Sequence, residues 1–182
     1  MKVVHIYKDY YPVLGGIENH LRLLAEGLVK RGLEVTVLVT SLTGQTTTLE
    51  MNGVRVIKAG RLVTLASTPL SLSLFLIVRR LKPDIAHLHF PYPWGELAHL
   101  WLGKARRTVI TYHSDIVRQR NLLRFYEPFL WRLLAKADHI IASSDHYLKG
   151  SLYLSRHADK STVIPYGIDL KRFTSPQRMP GR

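Results

Sequence analysis

Residues 3–32 constrain the fold more strongly than any other stretch of the chain. They begin with an apolar run typical of a buried strand at 3–7, continue through a loop that holds Gly15 and Gly16, and end in an amphipathic helix closed by a glycine. In α/β proteins this order places backbone N–H groups and a positive helix N-terminus near an anion, because glycines let the main chain approach a ligand closely. The alternative is a tight turn that only packs helix on strand. The dinucleotide fingerprint G-x-G-x-x-G is not met.

The rest of the chain alternates between strand and helix patterns. Further strands are predicted at residues 34–40, 84–90, 107–112, 138–142 and 161–164. Asn52-Gly53 predicts a hairpin, and helices are expected from Pro69 to about residue 82, at 120–136 and at 145–155. This alternation predicts an α/β fold, with a Rossmann-like, mostly parallel sheet and helices on both faces.

Polar groups follow several predicted strands directly, where ligands of parallel sheets bind. They are Gly15-Gly16, His89, His113-Ser114-Asp115 and Ser143-Ser144. The clustering predicts one shared site. His113 can donate to a phosphate or a sugar hydroxyl, with Ser114 and Asp115 fixing the orientation of the substrate. The alternative is a histidine bonded to a loop carbonyl. No G-x-S-x-G is present, so the triplet is not a hydrolase nucleophile elbow.

Metal and thiol chemistry are not favoured by this sequence. The chain has no cysteine, which excludes disulfides, thiolate metal sites and cysteine nucleophiles. His87 and His89 lie two apart and share a strand face, but no nearby carboxylate or third histidine completes a metal-binding set, so a structural role is expected. No D-x-D pair occurs, which disfavours a carboxylate-held divalent cation.

The chain is strongly basic, with 26 Lys and Arg against 13 Asp and Glu and a net charge of +13. Such charge attracts phosphorylated substrates, anionic lipid headgroups or nucleic acid, and no nucleic-acid-binding module is recognised. In the basic and aromatic stretch 104–136, Leu122, Tyr126, Phe129 and Leu133 share one helical face, so core packing and contact with an anionic membrane both stay open. No secretory signal or membrane span is predicted, which suggests a cytoplasmic protein, either free or peripheral at the membrane.

Four ordered motifs together resemble a known family. They are Y-P-x-x-G-G-I-E at 11–18, D-I-A-H-x-H at 84–89, T-Y-H-S-D-I-V-R-Q at 111–119 and V-I-P-Y-G-I-D-x-x-R-F at 163–173. The chain resembles the N-terminal half of a family 4 glycosyltransferase of the GT-B type. The third motif is similar to a bacterial branch that builds polysaccharides, frequently with mannose.

The resemblance implies one half of a GT-B fold and a role for each motif. His113 would be the catalytic residue, contacting the transferred sugar or diphosphate without acting as a general base. The other residues expected to bind substrate or donor phosphate are Gly15, Gly16, Glu18, His89, Ser114, Asp115, Tyr166 and Gly167. Transfer would retain the anomeric configuration and use no metal or other cofactor, and the nucleotide-sugar would be a substrate.

The same resemblance implies a division of labour between two domains. Residues 1–173 would form the acceptor-side domain, and residues 174–182 would be a linker toward a missing C-terminal donor-binding domain. The expected partners are a GDP- or UDP-sugar, a saccharide or lipid-linked acceptor, that second domain and an anionic membrane surface. This chain alone would be nearly inactive. The alternative is a non-catalytic Rossmann-like module that binds a phosphorylated or anionic partner.

Overall fold

A computed structural model describes residues 1–116 and 120–167, with side chains left undescribed at 120–123. Its strands are β1 Lys2–Ile6, β2 Glu34–Thr40, β3 Thr47–Met51, β4 Val54–Ala59, β5 Val63–Leu65, β6 Thr68–Leu70, β7 Ile85–Phe90, β8 Arg107–Tyr112, β9 His139–Ala142 and β10 Ser161–Val163. Its helices are α1 Gly16–Val29, α2 Leu72–Arg80, α3 Pro93–Leu102, α4 Arg120–Lys136, α5 Asp145–Gly150 and α6 Leu152–Ser155. The predicted linker 174–182 and the last residues of the third motif, 117–119, lie outside the described residues.

Eight of these strands form one sheet in the order β10-β9-β8-β7-β1-β2-β4-β3. All neighbours are parallel except β3 and β4, which form the hairpin predicted at Asn52-Gly53. Both hairpin residues have a positive φ, as a tight type I′ turn requires. The order of the strands reverses between β1 and β7, and in parallel sheets ligands bind at the carboxyl ends beside such a reversal. The predicted α/β class is confirmed.

Each face of the central strands meets a different helix. On β7, Leu88 and Phe90 alternate with His87 and His89, so the apolar and histidine side chains point to opposite faces. The histidine face lies under α1, because the ring of His20 is 6.1 Å from that of His89. The core on the two faces is closed by buried leucines, alanines and valines of the helices, including Leu21, Ala25, Leu74, Val78, Leu130, Leu133 and Leu134.

Two predicted helices differ from the structure. Pro69 does not begin a helix but lies in β6, and α2 begins after Ser71, whose Oγ accepts a hydrogen bond from the Leu74 N–H at 3.2 Å. The helix predicted at 145–155 is two short helices, because Ser151 is extended between them and caps the second. In both cases a serine that caps a new helix decides where it begins.

The apolar face predicted for α4 is buried in part. Tyr126 and Leu133 are buried, whereas Phe129 is 37% exposed. The side chain of Leu122 is not described. Among the helices of the described residues, none is long and apolar enough to cross a membrane.

Gly95 lets α3 approach β1, and an alanine there is expected to destabilise the domain by about 2 kcal/mol. A Cβ on Gly95 would lie 2.5 Å from Tyr92 Cδ1 and 2.9 Å from Ile6 Cγ2. Tyr92 has little freedom to move, because its hydroxyl bonds Thr40 Oγ1 at 2.6 Å. Overpacking costs about 1–3 kcal/mol, more than the gain of about 1 kcal/mol in helix propensity. Urea unfolding of the Gly95→Ala protein measures the loss.

Gly27→Ala in α1 is the matched control. The nearest atom to a Cβ there is the end of the flexible Arg31 side chain, at 3.6 Å. This substitution should stabilise the protein by about 0.5–1 kcal/mol. If the two alanine substitutions changed the free energy of unfolding equally, the close approach of α3 to β1 at Gly95 would not contribute to stability.

Candidate functional site

The carboxyl ends of neighbouring parallel strands bring the predicted site residues toward one edge of the sheet. His89 lies in β7, His113 follows β8 directly, and Tyr166 follows β10. His89 Nδ1 lies 3.1 Å from His113 Nε2, and His113 Nδ1 lies 2.5 Å from the hydroxyl of Tyr166. The structure therefore joins three of the residues named from the sequence in one hydrogen-bonded row.

The row runs from the protein interior to the surface. His89 is 0% exposed, His113 is 9% exposed and Tyr166 is 39% exposed. His89 itself is closed to solvent, and direct binding of a ligand by His89 stays a prediction. His20 of α1, which no sequence pattern indicated, flanks the outer part of the row. Its ring centroid lies 4.6 Å from that of Tyr166 and 5.6 Å from that of His113.

Burial keeps His113 neutral at physiological pH. Desolvation first, and then the neighbouring His20 and His87, lower the pKa of His113 to about 3. A neutral imidazole has one N–H donor and one acceptor nitrogen. His113 is therefore suited to hydrogen-bond a sugar hydroxyl or phosphate oxygen and poorly suited to take up a proton at neutral pH.

A third histidine does join His87 and His89, so the expectation of an incomplete set is wrong. It is His5 of β1, which pairs in register with His87, and the candidate nitrogens of the three lie within 4.8 Å of one another. The rings of His5 and His89 already bond each other, since His5 Nδ1 lies 3.1 Å from His89 Nε2. His87 Nε2 is bonded to Thr111 Oγ1 at 2.7 Å. The absence of a metal from the reaction stays a prediction.

Asp115 is held by hydrogen bonds to β8, to α5 and to the residue that caps α6. Its Oδ1 accepts hydrogen bonds from the Tyr112 hydroxyl at 2.7 Å and from Ser151 Oγ at 2.9 Å. Its backbone N–H donates to the Tyr147 hydroxyl at 2.6 Å. The carboxylate thus anchors the segment after β8 to α6 and fixes Ser114 beside His113.

The carboxylate of Glu18 lies against the glycine turn before α1. Gly15 is the N-cap residue with an extended backbone, and a Cβ there would be 3.0 Å from Glu18 Cδ. Glu18 is buried against the turn, where a negative charge is favoured by the helix N-terminus. Gly16 and Gly167 are open, because a Cβ added at either would meet no atom within 4 Å. Phosphate binding by Gly15, Gly16, Glu18 and Gly167 stays a prediction.

An apolar cavity of about 540 Å³ lies next to Ser114 and Asp115. Its walls come from the β5–β6 hairpin, the start of α3, the segment after β8 and α4. They include Leu65, Leu70, Trp94, Leu97, Ile116, Phe125 and Phe129, with Lys8 at the side. No sequence pattern indicated this cavity, because its walls are far apart in the chain. The exposed aromatic residues of α4 were the available signal.

Glu96 hydrogen-bonds two tyrosines of the cavity wall. It accepts a hydrogen bond from the Tyr92 N–H at 2.5 Å and another from the Tyr126 hydroxyl. Burial raises the pKa of Glu96 to about 8, against the lowering effect of the Tyr92 bond. The two tyrosines, which line the cavity, are thereby tied to one side chain of α3.

Comparison with known proteins shows which family shares these motifs. The family described as Glycosyltransferase Family 4 matches residues 14–172. The chain is 40% identical over 172 residues to the O-antigen chain mannosyltransferase C of Escherichia coli and 37% identical over 179 residues to the D-rhamnosyltransferase WbpZ of Pseudomonas aeruginosa. These alignments cover 93% and 97% of this chain but 46% and 47% of the relatives. The chain therefore spans about half the length of these relatives.

Solved structures share the fold. Anabaena Alr3699/HepE in complex with UDP-glucose superposes with a TM-score of 0.66 at 19% identity, covering 97% of this chain and 47% of that one. Sucrose-phosphate synthase from Thermosynechococcus elongatus gives a TM-score of 0.64 at 18% identity, covering 93% and 49%. The described fold is that of one half of a GT-B glycosyltransferase.

Proposed function

The chain belongs to glycosyltransferase family 4, and on that premise we propose that it is the acceptor-side domain of a retaining, metal-independent transferase. The enzyme moves a sugar from a GDP- or UDP-sugar to a saccharide or lipid-linked acceptor. The observation that carries the proposal is the row of His89, His113 and Tyr166 at the carboxyl edge of the sheet. The mannosyl and rhamnosyl relatives support transfer of a hexose in polysaccharide synthesis.

His113 serves the transfer as a neutral hydrogen-bonding group. Its Nε2 is engaged by His89, and its Nδ1 faces the more exposed Tyr166 hydroxyl. A sugar hydroxyl or diphosphate oxygen that takes the place of the tyrosine hydroxyl meets the same nitrogen. A hydrogen bond that strengthens as charge develops on the departing diphosphate lowers the barrier.

A second domain supplies most of the donor site. Residues 1–173 are the acceptor-side unit, residues 174–182 lead toward the second domain, and the domain described here transfers negligibly alone. The length of the relatives, about twice that of this chain, supports this division. The likeness to a protein solved with UDP-glucose supports a nucleotide-sugar donor.

The apolar cavity receives the lipid part of a lipid-linked acceptor. It adjoins Ser114 and Asp115, so an acceptor whose sugar lies near His113 can extend its apolar chain over Phe125 and Trp94. The net charge of +13 draws the domain to the anionic inner face of the cytoplasmic membrane, where such acceptors reside.

Shortening the cavity wall is expected to weaken binding of the lipid selectively. Phe125 is 79% exposed and lines the cavity, so Phe125→Ala removes contact with the lipid at little cost to folding. Burying a phenylalanine is worth about 1.5–3 kcal/mol, and the KM for a long-chain prenyl diphosphate acceptor should rise about 10-fold. The KM for a short, water-soluble acceptor should stay the same.

Leu152→Ala is the control, because Leu152 is exposed on α6 and does not line the cavity. A Phe125→Ala protein that treats the long and short acceptors alike would show that the cavity does not hold the lipid.

The function itself is tested with the complete protein that contains these residues. GDP- and UDP-sugars are offered with a lipid diphosphate acceptor in the presence and absence of a chelator, and the anomeric configuration of the product is read by NMR. Chelator-resistant transfer with retention is expected. Saturable binding of phosphorylated ligands without any transfer would instead identify a non-catalytic binding module.

A further inference from the structure

We propose that His5 and His89 are positioning residues that act in series to hold His113 in one tautomer, with its N–H directed to the ligand side. This inference rests on the proposed function. The four residues His5, His89, His113 and Tyr166 are here called the histidine relay. The sequence motifs indicated direct binding by His89 and no role for His5.

The histidine relay crosses the sheet at its reversal point. His5 Nδ1 lies 3.1 Å from His89 Nε2, His89 Nδ1 lies 3.1 Å from His113 Nε2, and His113 Nδ1 lies 2.5 Å from the Tyr166 hydroxyl. The members come from β1, β7 and the segments after β8 and β10. Each inner ring uses one nitrogen toward each neighbour, so the bonds form a single unbranched chain.

Because the rings are neutral, all hydrogen bonds of the histidine relay must donate in the same direction. Each imidazole has one N–H and one lone pair, so the proton position on one ring sets the position on the next. In the outward arrangement, every Nδ1–H donates toward the surface and the Tyr166 oxygen accepts. In the inward arrangement, Tyr166 donates to His113, every Nε2–H donates toward the interior, and His5 ends with an Nε2–H.

The buried end of the relay favours the outward arrangement. His5 Nε2 is buried and has no hydrogen-bond partner within the part of the chain that the structure describes. The inward arrangement would leave a buried N–H donor without an acceptor, which folded proteins rarely tolerate. The outward arrangement leaves only an unshared lone pair there. His113 then presents Nδ1–H, a donor suited to a phosphate or sugar oxygen.

Burial keeps the rings neutral, as this logic requires. Desolvation is the main cause that lowers the pKa of His5 to about 3 and that of His89 well below its usual value. Charges on His20, and for His89 also on the other histidines of the cluster, act in the same direction. At pH 7 no ring of the relay carries two protons.

His87 provides a matched control within the same strand. Its ring is buried and stacks on His89 with centroids 4.6 Å apart, yet it bonds Thr111 rather than a member of the relay. A role in packing alone would make His87 and His89 equivalent. A role in fixing the tautomer would separate them.

The test combines NMR of the complete protein labelled with ¹⁵N-histidine and steady-state kinetics of sugar transfer. Two-bond ¹H–¹⁵N spectra should show His113 as Nδ1–H in the wild type and in His87→Phe. In His89→Asp a carboxylate acceptor lies near the former Nδ1, so the proton of His113 should move to Nε2, and kcat should fall by about 10-fold to 100-fold with little change in KM. The isosteric His89→Asn offers an amide N–H near the former Nδ1 and should restore the tautomer and part of kcat.

Tyr166→Phe tests whether the tautomer of His113 is set from the buried end of the relay or by Tyr166, without disturbing the core. In the outward arrangement the His113 tautomer survives this substitution, because His89 still accounts for it. An Nε2–H tautomer in the wild type, or equal losses of kcat in His89→Asp and His89→Asn, would overturn the proposal. The spectra do not depend on turnover. A tautomer change without sugar transfer by the wild type would therefore contradict the proposed function and not the relay.

Discussion

Replacing His113 by alanine in the complete protein is expected to lower kcat/KM for sugar transfer by about 100-fold or more. The imidazole joins the buried His89 to the exposed side of the site, where its Nδ1 meets the Tyr166 hydroxyl. Alanine removes this hydrogen bond from the transition state, and a loss of about 2.7 kcal/mol corresponds to a factor of about 100. The affinity for the nucleotide-sugar should change much less, because the proposed function assigns most of the donor site to a second domain.

The measurement is the initial rate of transfer from the GDP- or UDP-sugar that the wild type uses, with chelator present. His139→Ala is the matched control. His139 is the first residue of β9 and lies at the amino end of the parallel strands, whereas the site lies at their carboxyl end. Among the contacts described, its ring bonds only Thr162. Thermal unfolding of each variant separates a loss of activity from a loss of fold. A His113→Ala protein within threefold of the wild type would place the transfer chemistry elsewhere.

Most of the fold follows from patterns that are local in the sequence. The strand at the N-terminus, the turn at Asn52-Gly53 and the strands around His89 and His113 were all predicted from short apolar runs and their flanking residues. The error at Pro69 has a physical reason. Proline is favoured at the start of a helix, but it also suits a strand position that donates no hydrogen bond. The sequence alone does not distinguish these two roles of Pro69. The structure does, because Pro69 follows a hairpin turn in which Ala66 and Ser67 have positive φ.

The site residues at the strand ends were predictable from the sequence, whereas the buried residues behind them were not. Strand ends of a parallel sheet meet at one edge, which is why His89 and His113 could be expected together. Tyr166 was expected at the site only through the family resemblance. His5 lies within an apolar strand and resembles a core residue in the sequence. Its pairing with His87 depends on which strands are neighbours, and neither strand determines that alone. The apolar cavity has the same origin, because four separate segments build it.

Acid is expected to destabilise this domain by several kcal/mol between pH 7 and pH 5. Burial lowers the pKa of His5 and His113 to about 3 and that of His99 to about 4, and it also lowers those of His87 and His89. The unfolded chain, with histidine pKa values near 6.5, therefore binds more protons in this interval, and the free energy of unfolding decreases as the pH falls. Each such histidine contributes up to about 2 kcal/mol over these two pH units.

Glu96 acts in the opposite direction, and this makes the prediction specific. Its pKa is raised to about 8, so the folded protein holds a proton that the unfolded chain releases above its ordinary pKa. Acidification from pH 7 to pH 5 then stabilises the fold through Glu96 by about 2–3 kcal/mol. One glutamate offsets roughly one of the histidines and leaves a net loss, comparable with a large share of the 5–15 kcal/mol typical of a domain.

Urea unfolding at pH 7, 6 and 5 measures the balance. In Glu96→Gln the decrease between pH 7 and pH 5 should be larger than in the wild type by about 2–3 kcal/mol, because the compensating group is gone. In His5→Phe it should be smaller by about 2 kcal/mol, because one titrating ring is gone. Comparing two pH values within one variant cancels any constant effect of the substitution on packing. An unfolding free energy at pH 5 equal to that at pH 7 would mean that the buried histidines accept protons in the folded state, and the neutral histidine relay would then be excluded as well.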